Sequence, residues 1–122
     1  MSERASSLLD PDDCLLNLAL ESWKLSKLFA RVLSKLETED KRKYGNKVAY
    51  FDKKLDEILS QADLTFFSLQ GELYDPGMAV NPLNLSDFSP DDSLIVEQMI
   101  EPIVMGKDGI KKVGTVFLRK AH

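Results

Sequence analysis

Apolar side chains in the first half of the chain recur at threes, fours and sevens. Leu15, Leu18, Leu25, Phe29, Val32 and Leu36 form one row, while Glu21, Lys24, Lys27, Arg31 and Lys35 fall largely on the other side. Since 3.6 residues make one turn, that spacing lines one face of an α-helix and predicts an amphipathic helix of about six turns. Its start is marked by Asp10-Pro11-Asp12-Asp13. These residues supply a capping carboxylate, a proline suited to the first turn and early negative charge. Leu20 and Trp23 lie partly outside the row and widen the apolar surface into a second contact face. Trp23 reads either as a half-buried helix residue with its indole N–H in water or as an anchor for a partner.

Glu37-Thr38-Glu39-Asp40 interrupts the period with residues suited to a helix end and a new cap. Tyr44, Val48, Phe51, Leu55, Ile58 and Ala62 then alternate at fours and threes, a heptad seam, with Lys47, Asp52, Lys53, Asp56 and Glu57 outside it. Gly45-Asn46 weakens the start of this second helix, by about 1 kcal/mol for the glycine relative to alanine, so the helix is expected to begin after that pair, to within a turn. Two helices with a short connection form an antiparallel hairpin. A lone hairpin leaves each seam half covered, and two copies complete a four-helix bundle. The expected dimerisation residues are Leu18, Leu25, Phe29, Val32 and Leu36 from the first helix and Val48, Phe51, Leu55 and Ile58 from the second.

From Leu64 the period shortens. Leu64-Thr65-Phe66-Phe67-Ser68-Leu69 reads as a connecting strand ending at Gln70-Gly71, and Asp75-Pro76-Gly77 is a turn. Residues 81–92 hold two prolines among Leu83, Leu85 and Phe88, which suits a short strand or extended link. Leu94 to Ile100 is a strand. Asp108-Gly109 between apolar stretches is hairpin chemistry, with Ile110 to Leu118 as the return strand. Helices first and strands after give an α+β class. Residues 1–11 are expected as a disordered tail, 12–63 as a helical dimerisation region and 64–122 as a small all-β domain.

The 122 residues fit one ordinary domain length, and 43% apolar with 30% charged is a globular mixture. Sixteen basic against twenty acidic side chains leave a net charge of −4, which argues against nucleic acid as the partner. Lys41-Arg42-Lys43 and Lys111-Lys112 read as solvated faces. Cys14 is the single cysteine, so no intrachain disulfide forms and the cytoplasm is the default location. No signal peptide or membrane-spanning run is read. His122, the only histidine, is terminal, and Cys14, early on an apolar helix, is expected as a buried thiol rather than a nucleophile. Asp12-Asp13 and Asp91-Asp92 suit a helix start and a turn better than an acid–base pair. No phosphate loop or metal-ligand spacing is read, so neither an enzyme nor a cofactor is expected.

A helical hairpin, the Tyr74-Asp75-Pro76 turn, the Ser89-Pro90-Asp91-Asp92 turn, the Leu94 to Met99 strand, a glycine hairpin and the Lys112-Val113-Gly114-Thr115-Val116 ending follow one another in fixed order. Over roughly residues 18–120 this succession resembles the GrpE family, in a short form lacking the long N-terminal helical stalk. The resemblance implies a dimeric helical bundle and a small β-domain that contacts the ATPase domain of a DnaK-type chaperone and promotes ADP release. The contact residues it implies are Met78, Val80, Met99 and Ile100, with Met105, Lys107 and Lys112 on the hairpin. The alternative is a dimeric acidic chaperone or adaptor of the kind that escorts secreted effectors, without exchange activity. Such chaperones tend to begin and end on helices with strands between.

Overall fold

The computed structural model describes residues 10–122, which form two helices followed by a small all-β region of two sheets, an α+β arrangement. Only Asp10 and Pro11 of the expected 1–11 tail fall within the described residues, and they belong to a helix start. The chain divides into two compact units between Leu55 and Asp56, within the second helix.

In the first unit, α1 spans Pro11–Leu33. Asp10 caps it, its carboxylate accepting the Asp12 N–H at 2.8 Å, and Pro11 occupies the first turn, where a missing N–H leaves no bond unmade. The helix ends before Leu36, since Lys35 and Leu36 donate to Val32 and Leu33 in a tightened turn. Helix α2 spans Thr38–Gln61, so it starts ahead of Gly45 and runs through it.

The buried side chains of α1 are Leu16, Ala19, Leu20, Ser26 and Leu33. The row with the cleaner apolar period behaves otherwise: Leu18 is 66% exposed and Leu25 61%, with Phe29 and Val32 exposed beside them. At 100° per residue the two rows lie about a third of a turn apart, so α1 carries two distinct apolar faces. The second contact face signalled by Leu20 is the covered one. On α2, Tyr44, Phe51 and Ile58 of the expected seam are exposed, Val48 and Leu55 are half-buried and Leu59 is buried. Asp52, expected outside, is half-buried and accepts a hydrogen bond from the Ser26 hydroxyl. The row Gly45, Val48, Asp52, Leu55 and Leu59 is thus the more covered face, and its glycine and carboxylate hide it from an apolar count.

In the second unit, β1 (Thr65–Phe67), β4 (Ile103–Gly106) and β5 (Gly109–Lys112) form one sheet in the order β1-β4-β5. The other sheet holds β2 (Val80–Pro82), β3 (Leu94–Glu101) and β6 (Gly114–Lys120) in the order β2-β6-β3, with β2 parallel to β6 and every other pairing antiparallel. The expected single strand from Ile110 to Leu118 is therefore two strands in different sheets, broken at Val113. Beyond β2, itself in a different sheet from β1, the chain changes sheet twice more. It leaves β3 at buried Pro102, which has no N–H for a ladder, and returns at Gly114. A Cβ on Gly114 would sit 2.9 Å from Met99 Cε, 3.0 Å from the Glu101 carbonyl oxygen and 3.1 Å from Ile103 Cγ1, so the crossing needs a residue without a side chain.

Val96, Val104, Val116 and Leu118, with Leu94 and Ile103, make the core of this unit. Register shifts in β3 leave Glu97 and Ile100 without a Cα partner on β6 and move Met99 into phase with the core. Beyond β2, the Asn84 side chain takes the place of a strand partner. Its amide donates to the Leu118 carbonyl and its carbonyl accepts the Leu118 N–H, both at 2.9 Å. On the far side of β3, Glu72 accepts from Val96 N–H, and Gly71 and Tyr74 donate to Val96 and Leu94.

Candidate interaction surfaces

The first surface is the outer row of α1. Leu18, Leu25, Phe29 and Val32 share a face away from the buried Leu16, Ala19 and Leu20. Tyr44 and Phe51 are exposed on α2. Trp23 is half-buried with the Lys27 ammonium 5.3 Å from its ring centre, a cation–π contact that covers part of the indole. Cys14 is exposed rather than buried, because its position in the helical period falls with Leu18 and Leu25, not with Leu16 and Leu20.

The second surface lies in the β unit and divides the expected chaperone contacts between two sheets. Met105 is half-buried on β4, Lys107 is exposed in the β4–β5 turn, and Lys112 closes β5. Met78 and Val80 are half-buried at the start of β2, and Ile100 sits half-buried at a bulge. Met99 is in the core, its terminal methyl against Gly114. The two groups approach where Lys112-Val113-Gly114 passes between the sheets. There the Lys112 ammonium is 3.9 Å from a Glu101 carboxylate oxygen, which also accepts from the Thr115 hydroxyl at 3.3 Å. Lys112 thus has a local partner and still presents 41% of its side chain to solvent. Exposed Ile110 on the edge strand β5 and exposed Val113 just past its end flank it.

Two apolar exposures escaped the sequence pattern. Leu73 and Leu85 stand on the surface of the β unit beside a groove. The one signal that pointed there was charge: no lysine, arginine or histidine occurs between Lys54 and Lys107, a stretch holding ten acidic residues.

Among the described residues, no group of three or more histidine, cysteine, aspartate or glutamate side chains is placed to hold a metal ion, and no helix is long and apolar enough to cross a membrane. The architecture defines an α+β chain with an outward apolar helical face and a two-sheet β unit. No family model, curated protein or solved structure matches it.

Proposed function

We propose that this chain is a GrpE-like exchange factor: a homodimer formed through its helices whose β unit binds the ATPase domain of a DnaK-type chaperone and promotes ADP release. The observation that carries the reading is the doubly apolar α1. One face is covered within the chain, and the other leaves four large side chains, Leu18, Leu25, Phe29 and Val32, in water. An exposed heptad-spaced row on a helix is the kind of surface that a second helical pair covers in a four-helix bundle. The order of elements, helices together and strands together, also favours this reading over an effector chaperone with helices at both ends.

The mechanism is linkage. A protein that binds the open form of a nucleotide cleft more tightly than the closed form weakens nucleotide binding by the same factor. About 4 kcal/mol of differential affinity corresponds to a thousandfold change, so no residue of this chain has to touch the nucleotide. The binding residues are Met78, Val80, Ile100, Met105, Lys107 and Lys112, with Met99 supporting them from the core. Cytoplasmic residence follows from such a partner.

The test is stopped-flow release of a fluorescent ADP analogue from a DnaK-type chaperone. Added protein is expected to speed release, and Lys112→Gln to reduce that acceleration about tenfold or more while leaving the melting curve in place. Glutamine removes the charge without setting a second carboxylate beside Glu101. Release that is unchanged by the wild-type protein would contradict exchange activity and leave a dimeric adaptor.

A further inference from the structure

The β unit holds a groove of about 520 Å³ whose apolar wall is formed by Leu73, Tyr74, Pro76, Leu85, Pro90 and Leu94. That volume falls within the range of sites that seat a few side chains of a ligand. Leu73 is 64% exposed and Leu85 44%, so the wall faces water. Its frame is built by local bonds. The Ser89 N–H donates to the Asp92 carboxylate at 2.9 Å, the Asp92 N–H returns to the Ser89 carbonyl at 3.0 Å, and the Lys120 ammonium lies 4.0 Å from Asp92. Leu73 forms a bridge with Ile95 in which its neighbours Glu72 and Tyr74 make the bonds to β3. In an antiparallel pair of that kind the intervening residue turns its own N–H and C=O away from the partner strand, here to the outer side.

Lys120, held by Asp92, is a cation at this wall, and the charges that lie near its residues in the chain are otherwise negative. Glu72, Asp75 and Asp91 are exposed and adjoin wall residues in the chain, Asp87 is exposed two residues from Leu85, and Asp92 lines the groove itself. An apolar floor beneath a carboxylate rim disfavours phosphate, nucleic acid and anionic membrane surfaces, and it favours cations flanking an apolar anchor. We propose that this groove binds a short extended segment of a partner polypeptide in which a leucine-sized apolar side chain is flanked by lysine or arginine. The anchor packs against Leu73 and Leu85, and the flanking cations meet the carboxylates of Asp87 and Asp91. The site uses none of the residues assigned to nucleotide exchange, so the two proposals stand or fall separately.

The probe is a fluorescein-labelled peptide with the core Lys-Leu-Lys-Leu-Arg, titrated with the full chain by fluorescence anisotropy beside a counterpart carrying glutamate in place of each basic residue. Saturable binding of the basic peptide below about 1 mM is expected, weakening as salt rises, with no binding of the acidic one. Leu85→Ser is expected to weaken it about tenfold or more, and the Asp87→Asn/Asp91→Asn pair to lower both affinity and salt dependence. Amide spectra should shift at Leu73, Leu85 and Ser93. The proposal is overturned by equal binding of both peptides, by shifts confined to residues outside the groove, or by absence of saturation up to about 1 mM. Self-association of the chain that Leu85→Ser abolishes would overturn it too, assigning the groove to a second copy.

Discussion

Replacing Leu25 and Phe29 together by aspartate is expected to dissociate the proposed dimer into monomers of 13.8 kDa without unfolding the chain. Both side chains are exposed in the single chain, so two carboxylates there meet water and the monomer loses little. In a four-helix bundle the same carboxylates would be buried opposite apolar partners. An unpaired buried charge costs several kcal/mol, and about 3 kcal/mol already weakens association more than a hundredfold. Sedimentation equilibrium at micromolar concentrations reads the mass, and far-UV circular dichroism confirms that the helices persist. A wild-type chain that sediments as a monomer across the accessible range would remove the dimer from the proposal. The contrasting pair Leu16→Asp and Leu20→Asp attacks the covered face of α1 and is expected to unfold the chain rather than dissociate it.

The second large effect is expected at Gly114. Alanine there places a methyl within 3.1 Å of Met99 Cε, the Glu101 carbonyl oxygen and Ile103 Cγ1. The methionine end can swing aside, but the carbonyl belongs to the backbone where the chain changes sheet. Overpacking of this kind costs about 1–3 kcal/mol, and Gly114→Val, with two further methyl groups, exceeds that range. Against a total stability of roughly 5–15 kcal/mol, the valine variant is expected to lose much of its β structure near body temperature. Gly45 supplies the control. It lies inside α2, where a Cβ would meet nothing within 4 Å, so Gly45→Ala is expected to stabilise the helix by up to about 1 kcal/mol. Urea melts of the three variants measure the opposite signs.

Much of the element order was legible in the sequence. The Asp10-Pro11 start, the interruption at Glu37 to Asp40, the Leu94 strand and the glycine hairpin all announce themselves through capping, breaker and turn chemistry. Which helix face is covered was not legible, because α1 is apolar on both sides and the buried side includes Ser26. The hydroxyl is satisfied by Asp52, a partner 26 residues away, so two polar residues occupy a seam that a hydropathy count assigns to solvent. In the β half, the bulges of β3 and the changes of sheet at Pro102 and Gly114 depend on long-range pairing. A run from Ile110 to Leu118 reads as one strand until Val113 is seen to separate partners in different sheets. Asn84 was unreadable for the same reason, since its role as a stand-in strand exists only once Leu118 lies beside it.

The expected contact residues show a similar division. Lys107 and Lys112 are accessible, as lysines on a turn and an edge strand usually are. Met99 belongs to the core because a bulge resets the inward phase of β3 by one residue, which no local pattern announces.

The most direct measurement is calorimetric titration of this protein into a DnaK-type ATPase domain, once without nucleotide and once saturated with ADP. Tight binding to the empty domain, weaker by about a thousandfold when ADP is present, is the expected result, and ADP affinity must fall by the same factor in the reciprocal experiment. Equal affinity for the two forms would contradict the exchange mechanism outright, because a ligand that does not distinguish two states cannot shift the balance between them.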